Sequence, residues 1–180
     1  MTSLIHWWRG TRGEWRIVVV GGVIWLLDQL TKAWVVWALP FETQRPVVRG
    51  FLSLVHWGNT GSAWSLFHGN NGVLAMVALA AVAGLWHWRH HFEAHRLAGQ
   101  WALGLLFGGT LGNLVDRLLP SRRHVVDFLY FHVIQRSGSE AGFPAFNVAD
   151  MAICTGVGIL LLLACLNEPA QPGKPPPGSP

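Results

Sequence analysis

The chain is 180 residues long, 51% hydrophobic and only 12% charged, with 11 tryptophans and a mean hydropathy of +0.34. A soluble domain of ordinary composition carries about 25% charged residues, so this one reads as an integral membrane protein, in which tryptophan collects at the two bilayer interfaces. The same figures exclude intrinsic disorder, collagen and disulfide scaffolds, and the net charge of +4 arises from 13 scattered Lys and Arg without a basic run, which excludes a nucleic-acid binder.

The first apolar run, 17–37, has the roughly 20 residues that cross a bilayer and holds Asp28, Gln29, Thr31 and Lys32 within it. A cleavable signal peptide would carry neither the aspartate nor the lysine, so this segment is expected to remain as a span. Residues 40–71 are mixed. Phe51-Leu52-Ser53-Leu54-Val55-His56-Trp57 alternates in part, as a short strand does, and a glycine-containing turn, Asn59-Thr60-Gly61-Ser62-Ala63, follows. A second apolar run reaches a span of about 69–87 with its flanks, and a third, 97–116, carries Gly104, Gly108, Gly109 and Gly112, small residues that let helices approach closely in a bilayer. Residues 116–144 are polar and aromatic by turns and contain a second strand-like run, Val125-Val126-Asp127-Phe128-Leu129-Tyr130-Phe131-His132-Val133. The fourth span covers about 147–167, and the Pro- and Gly-rich tail 169–180 is expected to be disordered. There is no repeat, and 1–168 reads as a single membrane domain. Cys154 and Cys165 both lie in the last apolar run, too few and too buried in apolar sequence for a disulfide framework, and serve as small apolar side chains.

With the N-terminus cytoplasmic, that face collects Arg9, Arg12, Arg16, Arg89, Arg96 and Lys174, and the other Arg45, Arg49, Arg122, Arg123 and Arg136. The tallies are close, and the three arginines ahead of the first span weigh toward this orientation. Four spans put both termini on one side.

A carboxylate in or beside a span is expensive unless it has a partner or a task. The chain has four aspartates: Asp28, Asp116, Asp127 and Asp150. In an up-down-up-down arrangement all four gather at one membrane face, together with Asn59, Asn113, Arg117 and Asn147. Most of them have a plain structural role open to them. Asp28 and Lys32 are four residues apart and stack as an ion pair; Asn147 and Asp150 fit a helix N-cap and its third residue; Asp116 and Arg117 fit an interfacial pair; and Asn113 fits an interhelical hydrogen bond. Asp127, flanked by Val125, Val126, Phe128 and Leu129, has no such role. Two carboxylates held close share one proton, because both cannot ionise. The ionised one can then take a proton from water while its partner protonates a carbonyl. That is aspartic protease chemistry, and composition alone does not say which two aspartates perform it.

Three other chemistries fit less well. His87, His90, His91 and His95 have helical ligand spacing, but His91-Phe92-Glu93-Ala94-His95 is not the HExxH zinc motif, and the cluster falls on the face opposite the aspartates. A serine–lysine protease would pair Lys32 with Ser62 or Ser65, whereas Asp28 is the nearer partner of that lysine. A small transporter or assembly scaffold could use intramembrane Asp and Lys as a proton relay.

The segments Asp28-Gln29-Leu30-Thr31-Lys32, Asn59-Thr60-Gly61-Ser62-Ala63-Trp64-Ser65, Gly108-Gly109-Thr110-Leu111-Gly112-Asn113-Leu114-Val115-Asp116-Arg117, Val125-Val126-Asp127-Phe128 and Phe146-Asn147-Val148-Ala149-Asp150 resemble, in order, the motif set of bacterial lipoprotein signal peptidase, or signal peptidase II. Trp64 stands where that family more often has Phe. The resemblance implies an all-α membrane fold of four transmembrane helices with a small extracytoplasmic β-platform formed by the two outer loops. It implies an aspartic endopeptidase in the bacterial cytoplasmic (inner) membrane, with both termini cytoplasmic and the active site at the extracytoplasmic face. Asp127 and Asp150 would be the catalytic pair, and Asn59, Asn113, Arg117 and Asn147 would bind substrate. Asp28, Lys32, Gly61, Gly112, Asp116 and Ala149 would support them. The implied substrates are diacylglyceryl prolipoproteins held in membrane lipid and cut on the amino side of the lipid-modified cysteine, and the implied inhibitors are globomycin-type cyclic peptides. Neither cofactor nor metal is expected, and one chain contains the whole site, so a monomer suffices.

Overall fold

The computed structural model describes residues 12–61, 70–92, 94 and 96–166. Ser62, Ala63, Trp64, Ser65, His95 and the tail 169–180 lie outside the described residues. Four long helices form, α1 (Arg12–Ala38), α2 (Asn71–His87), α3 (Leu97–Leu118) and α4 (Val148–Leu166). A single 3-10 turn, Arg89–His91, leads from α2 toward α3. Between them lie four strands, β1 (Gln44–Val48), β2 (Leu52–Asn59), β3 (Val125–Ile134) and β4 (Glu140–Gly142), paired antiparallel in the order β1-β2-β3-β4.

Helix α3 is the centre of the bundle, packed on α1, α4 and α2. Its glycines permit this. A Cβ at Gly104 would come within 2.6 Å of the Val20 side chain, and one at Gly108 would lie 2.5 Å from the Gly21 carbonyl oxygen and 2.7 Å from Ile24. One position further round, a Cβ at Gly109 would lie 2.5 Å from the Ala149 carbonyl oxygen on α4. The close approach expected from these glycines is therefore present on two sides of one helix, toward α1 and toward α4.

The exterior of the bundle is apolar, and its interior holds buried charges beside an apolar core. Val18, Val19, Val23, Leu26, Leu27 and Leu30 on α1 and Leu161 and Leu162 on α4 are exposed, while Asp28, Lys32 and Asp116 have no exposed surface at all. Water would reward the opposite arrangement, whereas hydrocarbon rewards this one. Two helices, α1 over Glu14–Ala38 and α4, have the length and apolar character to cross a membrane; α2, with 17 residues, is a shorter apolar helix.

The two strand-like runs of the sequence become β2 and β3. Their pairing joins the connection after α1 to the connection after α3, with Trp57 opposite Asp127 and Asn59 opposite Val125, across an irregularity between Leu54 and Trp57. The sequence reading did not include β1 and β4. Every residue of β1 is exposed, and it contains Pro46, which an edge strand tolerates; β4 has three residues. One polar residue from each strand joins an array across the sheet: Gln44 Nε2 donates to Ser53 Oγ (3.2 Å) and to Glu140 Oε2 (3.3 Å), and Ser53 Oγ lies 3.0 Å from His132 Nε2. Beyond β4, on the same edge of β3, Phe146 pairs with Leu129, its N–H donating to the Leu129 carbonyl (3.0 Å) and its carbonyl accepting from Leu129 N–H (2.9 Å). That bridge delivers the next residue, Asn147, and the start of α4 to the side of β3.

Gly108→Ala should lower stability by about 1–3 kcal/mol, because backbone and a β-branched side chain must both move aside. Gly22→Ala on α1, where a Cβ meets nothing within 4 Å, should cost nothing. Thermal unfolding of the detergent-solubilised protein compares the two.

Candidate active site

The site begins with a lysine. Lys32 Nζ lies 2.8 Å from Asp28 Oδ2, 2.8 Å from Asp116 Oδ2 and 2.9 Å from Asn113 Oδ1. An ammonium has three N–H donors, and all three are used. The Asp28–Lys32 pair expected from spacing is thus present with two further acceptors. The pair expected between Asp116 and Arg117 is replaced: Asp116 bonds Lys32 and, through Oδ1, Arg122 Nη1 at 2.6 Å. Adjacent helix residues point about 100° apart, so neighbours in sequence do not face one another. Lys32 is fully committed to these acceptors and is no free base for a serine.

Each acceptor of Lys32 reaches onward. Asp28 Oδ1 accepts the Ala149 N–H at 2.9 Å, capping α4 from a residue 121 positions away. Gly112 makes room for that carboxylate, since a Cβ there would collide with Asp28 Oδ2. Asp116 Oδ2 lies 3.4 Å from the Val126 N–H on β3. Asn113, whose oxygen faces an ammonium that can only donate, must turn its NH2 the other way, and Nδ2 donates to Asp150 Oδ1 at 2.8 Å.

Two more asparagines are fixed by the same logic. Asn147 caps α4: its Oδ1 accepts the Asp150 N–H (3.0 Å) while its own N–H donates to Asp150 Oδ2 (3.2 Å), a reciprocal capping box with Asp at the third helical position. With its oxygen engaged by a backbone donor, Asn147 Nδ2 points at Asp127 Oδ1, 2.8 Å away. Asn59 Oδ1 accepts the Gly61 N–H (2.9 Å), which leaves Nδ2 to donate to Asp127 Oδ2 at 3.0 Å. Every oxygen of Asp127 and Asp150 therefore receives one donor, and Asn147 touches both carboxylates. The N-cap role and the carboxylate contact are one arrangement, not alternatives.

Arg117 stands beside this group, its Nη2 donating to the Gly61 carbonyl (2.8 Å) and its Nη1 to the Asn113 carbonyl (3.3 Å), with Nε buried and without a partner among the described residues. Asn71, absent from the sequence reading, donates from Nδ2 to the Arg117 carbonyl at 2.9 Å and ties the start of α2 to the end of α3. Only its position at a helix start could have drawn attention to it. Asp127 is 4% exposed. Burial pushes its carboxyl from 3.8 up to about 7, with the neighbouring Asp150 charge adding to the rise, against the lowering effect of the Asn59 and Asn147 hydrogen bonds and of Lys32. His87 is the last residue of α2 and His90 and His91 follow it, about 25 Å of helix from Asn71. Among the described residues no three His, Cys, Asp or Glu are grouped as a metal would need.

The model of the family described as signal peptidase (SPase) II matches residues 20–166. The chain belongs to the signal peptidase II family. It is 35% identical over 151 residues to a lipoprotein signal peptidase of Symbiobacterium thermophilum, covering 84% of this chain and 95% of that one. With a lipoprotein signal peptidase of Bacillus pumilus it shares 32% over 150 residues, covering 83% and 92%. A solved bacterial membrane enzyme superposes with a TM-score of 0.70 at 28% identity, covering 88% of this chain and 94% of that one. The resemblance read from the motifs is thus established, and with it a membrane-bound peptidase that removes signal peptides from prolipoproteins.

The raised Asp127 pKa fixes a pH dependence. The folded state holds that proton more tightly than the unfolded chain, so the contribution to stability is complete below about 4 and is lost as pH rises through about 7. Asp127→Asn removes the loss. Its apparent unfolding midpoint should rise relative to the parent between about pH 4 and pH 7, and an unchanged difference would contradict the buried, proton-holding carboxyl.

Proposed function

We propose that this signal peptidase II is an aspartic endopeptidase in which Asp127 and Asp150 activate one water molecule between them. The observation that carries the reading is the double contact of Asn147. It bonds both carboxylates, and among the described residues each of their four oxygens has a single donor, leaving lone pairs for a shared proton and a water. One carboxylate takes the proton of the attacking water and the other protonates the scissile carbonyl, chemistry that requires no metal or cofactor.

In this reading Asn59, Asn113 and Asn147 hold the pair from the side of the substrate, and Arg117 meets the substrate peptide with the Nε donor that has no partner among the described residues. Asp28, Lys32, Asp116, Gly61, Gly112 and Ala149 fix the frame. All four helices cross the bilayer, α2 near the lower length limit of roughly 17 residues, so both termini lie on the cytoplasmic side of the inner membrane. The dyad and the sheet then share the outer face. A diacylglyceryl prolipoprotein stays in the lipid, and its scissile bond, on the amino side of the lipid-modified cysteine, reaches the helix ends at that depth. An extended backbone needs polar partners away from water, and the asparagines and Arg117 are the groups there to give them. The whole site comes from one chain, and globomycin-type cyclic peptides would compete for it.

Asp127→Asn and Asp150→Asn should each reduce cleavage of a diacylglyceryl prolipoprotein in membranes by roughly 10²- to 10⁴-fold, with insertion unchanged and no effect of chelators on the parent enzyme. Near-parental cleavage by either variant would remove that residue from the dyad.

A further inference from the structure

The two aspartates do not stand in equivalent surroundings. Asp150 occupies the third position of α4, where the positive end of the helix dipole favours negative charge. It accepts a backbone N–H from Asn147 and the NH2 of Asn113, whose oxygen is held by the Lys32 ammonium. A positive charge thus bears on Asp150 through one polarised amide. Asp127 lies in a strand, which has almost no dipole, and its two donors are neutral amides fixed by a backbone N–H in each case: Gly61 behind Asn59, and Asp150 behind Asn147. Among the described residues the charged groups around the pair are Asp28 and Lys32 on α1, Asp116 and Arg117 on α3, and the two aspartates themselves.

We infer that the resting enzyme carries the shared proton on Asp127 and the negative charge on Asp150, and that Lys32 is the positioning residue that imposes this assignment by locking the Asn113 amide. The inference rests on the two-aspartate mechanism proposed above and adds direction to it. Asp150 is then the base. As the water oxygen forms its bond to the scissile carbon, a water proton passes to Asp150 and the Asp127 proton passes to the carbonyl oxygen, giving a neutral gem-diol. Asp127, now ionised, takes back a hydroxyl proton as the C–N bond breaks, and Asp150 delivers its proton to the departing nitrogen. Water is consumed, acid and amine leave, and both carboxyls return to their starting states. The buried, elevated Asp127 carboxyl agrees with this order.

Infrared spectroscopy on the full-length enzyme in lipid nanodiscs tests the assignment without requiring turnover, so failure here is distinct from failure of the cleavage assay. A protonated-carboxyl C=O stretch, shifted in D2O, should disappear from the parent as pH rises through about 7. Asp127→Asn should lose that band entirely. Asp150→Asn should keep it, with the titration moved to lower pH because the adjacent charge has gone. A band that survives in Asp127→Asn, or is absent at every pH in Asp150→Asn, overturns the assignment. The Lys32 part is read from Asn113→Leu combined with Asp127→Asn: with the amide removed, Asp150 should protonate and restore a band. If the band stays absent in that folded double variant, Lys32 and Asn113 do not set the charge.

Discussion

The structure depends on one ammonium group without contact to solvent. Lys32 is buried completely, and so are the carboxylates of Asp28 and Asp116 that flank it. Burying such charges is expensive, and removing one partner of a buried set leaves the others uncompensated at about 3–5 kcal/mol. The arrangement persists because no donor of the lysine is left over and because each acceptor ties down a different piece of the fold. Asp28 holds the first turn of α4, Asp116 holds the entry to β3 together with Arg122, and Asn113 holds Asp150. Helices one, three and four and the central strand are thereby fixed relative to one point.

That point matters more in a membrane than it would in water. Apolar side chains give little preference for one helix contact over another when the surroundings are themselves hydrocarbon, so close packing and polar bonds decide how the helices meet. The glycines of α3 and the Lys32 group are these two contributions, and they meet at Gly112, where the missing side chain is what admits the Asp28 carboxylate. A substitution at Gly112 therefore acts on α4 through Asp28, although Gly112 itself lies on α3.

Much of this was legible in the residues. The four helical runs, the two central strands and the gathering of the aspartates all follow from hydropathy, alternation and the rarity of acidic residues. What was not legible follows from physics that a linear sequence does not display. Strand β1 is exposed throughout and interrupted by Pro46, so it has no alternation to read; β4 is too short to have a pattern. Asp116 and Arg117 sit side by side in sequence and diverge on the helix, so the adjacency that pointed to a pair was misleading. Above all, the orientation of an asparagine amide depends on which neighbour is a pure donor. Asn113 looks the same in sequence whether it offers its oxygen or its nitrogen to Asp150, and only the position of Lys32, 81 residues earlier, decides.

Under the proposed two-aspartate mechanism, the separation of Lys32 from Asp127 and Asp150 has a chemical reason. An ammonium in direct contact with a pair of carboxylates favours the doubly ionised state, and a pair without a shared proton has no acid to offer the carbonyl. A pair with no cation nearby, in a buried site, would instead resist ionising and offer no base. Placing Asn113 between Lys32 and Asp150 avoids both outcomes: the charge is felt through an amide that can donate a hydrogen bond but cannot itself ionise. The neutral amides of Asn59 and Asn147 do the same for Asp127, fixing both oxygens without adding charge. In the two-aspartate mechanism proposed above, three asparagines around Asp127 and Asp150 are thus a way to immobilise carboxylates while leaving their proton count at one, the count that water activation and carbonyl protonation together would require.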